Sequence, residues 1–136
     1  MRHTTKIAIV VRADLATWQQ LNVTAFLASG IAATVEGSTG ADYADADGHR
    51  YLPMFGQPVL IYTSDADGLR AICRKALDRE LTIGVYTGDL FATSNDEDNR
   101  AAVRAVTADQ LDLVGLAVHG GRNSVDKALK GLELHP

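Results

Sequence analysis

The run Ile7-Ala8-Ile9-Val10-Val11 constrains the fold more than any other stretch of this 136-residue chain. Five apolar, mostly β-branched residues in succession match a strand covered on both faces. Such a strand needs a layer on each side, and the sequence supplies helical patterns for them. Directly downstream, Leu15, Trp18, Leu21, Ala25, Ala28 and Ala32 recur at steps of three and four, and Val23, Phe26 and Leu27 widen the stripe. Thr17 and Gln20 have capping-box spacing, which places the helix start near Trp18, and Gly37 suits its stop. A helix this apolar is predicted to lie against the sheet on one side and a partner subunit on the other, so the chain is expected to be a homodimer.

The remaining elements follow from the same periodicities. Val59 to Thr63 reads as a second strand, and Ser64 with Asp67 as the cap of a helix carrying Leu69, Ile72, Cys73, Ala76 and Leu77. Leu81 to Tyr86 reads as a third strand, and this strand–helix–strand unit as a right-handed crossover between parallel strands. Ser94 and Glu97 frame a short helix with Ala101, Ala102, Val103 and Val106. Leu113 to Val118 is the last strand, before a helix capped by Asn123 or Ser124 that turns Val125, Ala128, Leu129 and Leu132 inward. Between Gly37 and Gln57, Asp47-Gly48 flanked by Tyr43 and Tyr51 signals a two-residue hairpin. The expected architecture is a single α/β domain over residues 1–136. It has a mixed, mostly parallel four-stranded sheet with helices on both faces, plus a small β-ribbon insertion.

Composition narrows the function classes. A net charge of −4 argues against a general nucleic-acid binder, and Arg70, Arg74, Lys75 and Arg79 are interleaved with Asp67, Asp78 and Glu80 as on a solvated face. No stretch is apolar enough to span a bilayer. Cys73 is the only cysteine, sits on an apolar helix face and reads as a core residue of a cytoplasmic protein. The Asp42, Asp45, Asp47 series lacks the later ligands of a calcium loop and reads as turn chemistry. Phosphate-binding, dinucleotide, zinc-helix and nucleophile-elbow motifs are all missing from the sequence. Neither a metal nor a cofactor is implied.

Polar residues gather where strands end. Ligands of open α/β sheets bind outside the carboxyl ends of the strands. Arg12, Asp14, Thr17, Gln19, Gln20 and Asn22 follow the first strand, Thr87 and Asp89 the third, and His119 the last. With the strands parallel, these positions share one rim. Asp14, Asp89 and His119 then form a candidate catalytic set for acid–base work. The competing reading makes Asp14 and Asp89 turn caps and His119 a loop histidine. Arg12, Trp18, Gln19, Asn22 and Thr87 are candidate ligand contacts, with Trp18 either a core anchor or the aromatic wall of a pocket. Gly120-Gly121 before the last helix leaves backbone N–H groups open to an anion.

Three segments resemble the type II peptidyl-tRNA hydrolases: KIAIVVRADL, PVLIYTSDADGLRAICRKALDRELTIGVYTGD and LDLVGLAVHGGRNSVDKALKGLEL. The resemblance implies that family's fold and its dimers. The chain departs where the family's chemistry lies. A Lys-Gly-Lys turn and an Ala-Ala-Gln helix start follow the first strand in the family, whereas here Ala16-Thr17-Trp18-Gln19-Gln20 carries no lysine. The acidic turn keeps Asp89 but continues Leu90-Phe91-Ala92-Thr93 without the family's arginines. An RNA-ester hydrolase needs cations near the phosphates, so the activity is not expected to transfer. The combination resembles a bacterial family of uncharacterised proteins with the hydrolase fold but not its catalytic set. Two functions are left: a domain that binds a small ligand at the strand rim, and a hydrolase of an ester or amide using Asp14 or Asp89 with His119.

Overall fold

The computed structural model describes residues 3–136. Met1 and Arg2, part of the expected single domain, lie outside the described residues. The central strand is β1 (Thr5–Arg12), as its sequence demands, and Ile7 to Val11 are wholly inaccessible to solvent. On one side β1 pairs in parallel with β4 (Val59–Ser64), Ile7 opposite Val59 and Arg12 opposite Ser64. On the other it pairs antiparallel with β6 (Leu113–Gly121), Ile7 opposite His119 and Val11 opposite Gly115. The edges are β5 (Thr82–Thr87), antiparallel to β6, and the two-residue β7 (Glu133–Leu134), antiparallel to β4.

The sheet therefore has five strands in the order β5-β6-β1-β4-β7, and only one neighbouring pair is parallel. This corrects the mostly parallel four-stranded expectation. β4 and β5 do run in the same direction, but β1 and β6 lie between them. The cause is the segment from β5 to β6. A parallel return would need a helix laid across a sheet face, buried along one side. Helix α3 (Asp96–Arg104) has no buried residue and cannot serve as that layer. The chain instead leaves and re-enters the sheet on one rim, where the Gly88 N–H donates to the Asp112 carbonyl at 2.9 Å.

Each face of β1 feeds its own core layer. Ile7, Ile9 and Val11 face α1 (Thr17–Thr34), where Val23, Leu27 and Ile31 meet them with Val114, Ala117 and Tyr86. Ala8 and Val10 face α2 (Ala66–Asp78) and α4 (Arg122–Ala128), packing with Leu69, Ile72, Cys73, Ala76, Val125 and Leu129. Burial of each such aliphatic side chain contributes about 1.5–3 kcal/mol. Gly115 sets the seat of α1, because a Cβ there would lie 2.4 Å from Val23 Cγ1 and 3.0 Å from Leu27 Cδ1.

The insertion forms the ribbon β2 (Tyr43–Ala44) and β3 (Arg50–Tyr51), with Tyr43 opposite Tyr51. Asp45 and His49 close the hairpin and Gly48 takes a positive φ of 87°, so the loop has three residues rather than two. The helix caps move by one to three residues from their expected places. Asp65 and Asn95, not Ser64 and Ser94, accept the N–H groups of Gly68 and Asp98. Gly121 precedes α4 without a side-chain cap, in place of Asn123 or Ser124. At α1 the cap is Ala16 rather than Thr17, and only half of a box forms, Gln19 rather than Gln20 accepting from the Ala16 N–H. Among the described residues, no helix is long and apolar enough to cross a membrane.

Candidate functional site

The carboxyl ends of β1, β4 and β5 share one rim, and the chain re-enters there at Asp112. Asp14 and Asp89 lie on it. His119 does not. Because β6 runs antiparallel, His119 stands opposite Ile7 and Thr82, at the starts of β1 and β5. Five residues of strand separate that level from Arg12, roughly 17 Å at 3.3 Å per residue. Burial lowers the pKa of the His119 imidazole, and no carboxylate pairs with it among the described residues. The structure thus separates the imidazole from both acids of the set expected at one rim.

The other sequence candidates divide. Arg12 is held by acids, its Nε donating to Asp14 Oδ1 at 2.6 Å and an outer nitrogen lying 3.4 Å from Asp112 Oδ1. It ties the first strand to the start of β6. Gln19 is spent on the helix start and Thr87 is buried, its hydroxyl without a protein partner among the described residues. Gly120 and Gly121 are strand residues opposite Lys6 and Thr5 on the far rim, and the Arg122 N–H donates to the Thr4 carbonyl. The open anion-binding turn expected there is largely taken up by strand pairing.

Trp18 and Asn22 come together with residues that sequence reasoning left aside. A cleft with two adjoining lobes, of about 530 and 440 Å³, runs between α1, the end of β5, the 3₁₀ turn Gly88–Phe91 and α3. Phe26, Tyr86, Leu90, Asp96 and Asn99 line both lobes. Trp18, Asn22 and Phe91 belong to the smaller one, and Val103 with Arg104 to the larger. Four aromatic rings form a ladder along it. Trp18 meets Phe91 edge-on at 6.1 Å, Phe91 lies 5.2 Å from Tyr86, and Tyr86 meets Phe26 edge-on at 6.0 Å. Tyr86 is the buried floor, and burial raises its hydroxyl pKa. Trp18 and Phe26 are 62% and 56% exposed, so they are walls rather than core.

Polar groups punctuate these walls. The Thr93 hydroxyl lies between the Leu90 carbonyl, 3.1 Å away, and the Asn99 side-chain amide, which it holds at the cleft wall. Asn95 is committed to Asp98 at the helix start, and Arg100 pairs with Asp96. Phe91 and Tyr86 were legible only as a turn residue and a strand residue. What brings them to Trp18 is the antiparallel excursion after β5.

Residues 5–136 match a family described as protein of unknown function, DUF2000. The chain belongs to the DUF2000 family. No curated protein sequence matches it significantly. Among solved structures, it is similar to a protein of unknown function from Agrobacterium tumefaciens at 41% identity. That match has a TM-score of 0.96 and covers 99% of this chain and 100% of the other. The DUF2000 fold described above is thus shared at full length with a bacterial relative.

A second cluster in this DUF2000 domain bears on metals. Asp45, Asp47 and His49 place ligand atoms within 4.8 Å of one another at the ribbon tip, all exposed. The Asp45 carboxylate already accepts from the Tyr51 hydroxyl at 2.7 Å and from Asp47 N, His49 N and His49 Nδ1 at 3.0 Å. The Tyr51 bond is foremost in holding its pKa below the usual carboxylate range. Four protein donors make this aspartate the organiser of its own turn, as expected from the sequence.

Proposed function

We propose that this DUF2000 domain binds a small organic ligand in the cleft between α1 and α3. The observation that carries the reading is the aromatic ladder. A soluble domain gains little by leaving Trp18 and Phe26 uncovered unless something covers them. The cleft is concave and mainly apolar, with Asn22 and Asn99 available for orientation, which is the usual make-up of a small-molecule site. Melting curves and Trp18 fluorescence across a broad metabolite panel test it. At a hundredfold excess over Kd, a ligand specific for the folded state adds about 2.7 kcal/mol of stability. Phe91→Ala should remove that gain. A panel in which nothing shifts either signal would end the proposal.

Hydrolysis of an ester or amide by Asp14 or Asp89 is less well supported, since His119 lies at the other rim. Should model esters be turned over, Asp89→Asn and His119→Ala report whether these residues are involved. The likeness to type II peptidyl-tRNA hydrolases in three segments favours a similar fold, while the missing lysines weigh against their activity. Two further readings accompany the proposal. The lone buried thiol of Cys73 suits a cytoplasmic setting. The outer face of α1 supports a homodimer, because all eighteen residues of the helix are uncharged and Leu21 is 67% exposed beside Trp18.

A further inference from the structure

The cleft face of α3 narrows the ligand's chemistry, an inference that rests on the ligand-site reading above. Asp96, Asn99, Arg100, Val103 and Arg104 recur at helical spacing and all line the larger lobe. A helix normally turns its apolar side inward, yet this one turns mostly polar and charged groups toward the cleft and buries none of its residues. These groups are not equivalent. Arg100 is neutralised by Asp96, whereas Arg104 has no carboxylate within ion-pairing distance among the described residues. The larger lobe therefore carries one uncompensated positive charge, in a chain whose net charge is −4. The smaller lobe offers Trp18, Phe91 and Asn22, with no cation.

We propose that the cleft takes a planar aromatic acid, its ring against Trp18 and Phe91 and its carboxylate at Arg104. The division between lobes carries the assignment. A ring gains from edge and face contacts with the ladder, and its polar edge can meet the Asn22 side chain and the Asn99 amide. A carboxylate gains from a planar guanidinium that no protein acid already holds. The two ends of such a molecule fall in lobes that share Phe26, Tyr86, Leu90, Asp96 and Asn99.

The test compares 2-naphthoate with 2-naphthamide in low-salt buffer, followed by the indole N–H resonance of Trp18, the only tryptophan. Both should move that resonance, and the acid should bind about fivefold tighter, the upper range for an exposed ion pair. In Arg104→Gln the ratio should fall to about one, with the melting temperature checked because Arg104 also sits in the last turn of α3. Arg122→Gln, on the far rim, should preserve the wild-type ratio. Equal affinities in the wild type, or an acid preference that survives Arg104→Gln, would overturn the assignment while leaving a ligand site in place. Silence of the Trp18 resonance with both probes at millimolar concentration would also overturn it. The site itself then stands or falls separately on the metabolite panel.

Discussion

Lys6 shows how a single residue can be misplaced by composition and rescued by its neighbours. Its side chain is only 10% exposed, with Nζ 2.9 Å from the Tyr62 hydroxyl and 2.6 Å from Asp126 Oδ1. Burial by itself would push its pKa down. The hydrogen bonds that Lys6 donates to Asp126 and Tyr62, with the charge interactions there, outweigh it, and the net shift is upward from 10.5. A cation whose folded pKa is raised stabilises the protein fully below its unfolded pKa and loses that contribution as pH climbs through the folded value. Lys6→Met should therefore cost about 1–2 kcal/mol at pH 8, a penalty that shrinks above pH ~10.5. Denaturant titrations of both proteins across that window check it. At this scale the sequence was legible for apolar residues and poor for polar ones. Ile7 to Val11 announce their burial by type. Nothing in the types of Lys6, Tyr62 and Asp126, far apart in the chain, says that they will meet.

Elements were read well where one periodicity dominated and badly where contacts distant in sequence decided. α1, α2 and β1 follow from stripes and runs that hydrophobic burial enforces locally. The caps slipped because Ser64-Asp65 and Ser94-Asn95 are pairs of cap-competent neighbours, and the choice between them depends on backbone angles. Strand direction slipped because apolar composition is the same in parallel and antiparallel neighbours. The polarity of α3 was the available clue, since a helix with so little apolar surface could not cover a sheet face. The close seat of α1 on β6 is a further element-scale consequence of one small residue. Gly115→Val should push Val23 and Leu27 outward and cost about 1–3 kcal/mol. Chemical denaturation should show the midpoint falling with an unchanged slope. A variant as stable as wild type would mean that α1 does not sit where it is described.

At the scale of the whole molecule, a small part of the candidate site was legible. Trp18 and Asn22 were visible as polar and aromatic residues after a buried strand, and they line the cleft. Phe91, Tyr86 and Asn99 were not, because only the return of the chain after β5 brings them opposite α1. The same arrangement explains why His119 drops out. The outer face of α1 makes a further prediction at this scale. Light scattering at micromolar concentration should find two copies, and Leu21→Asp should yield monomers, since burying that carboxylate against an apolar partner is costly. A monomeric wild type would remove the dimer. If Leu21→Asp still binds the ligand, cleft and interface are separate surfaces of one helix.

The hydrogen bond from Gly88 to Asp112 has a consequence for how such a domain can diversify. It joins the two ends of the segment that carries Phe91, Asn99 and Arg104, so residues 89–111 form a closed loop hung on the sheet. The length and sequence of such a loop can change at small entropic cost to the scaffold. One wall of the cleft thus hangs on a loop anchored in the core at Leu111, and the other is the helix whose seat on the sheet is set at Gly115. Recognition can be rewritten at the exposed positions of the first without unseating the second.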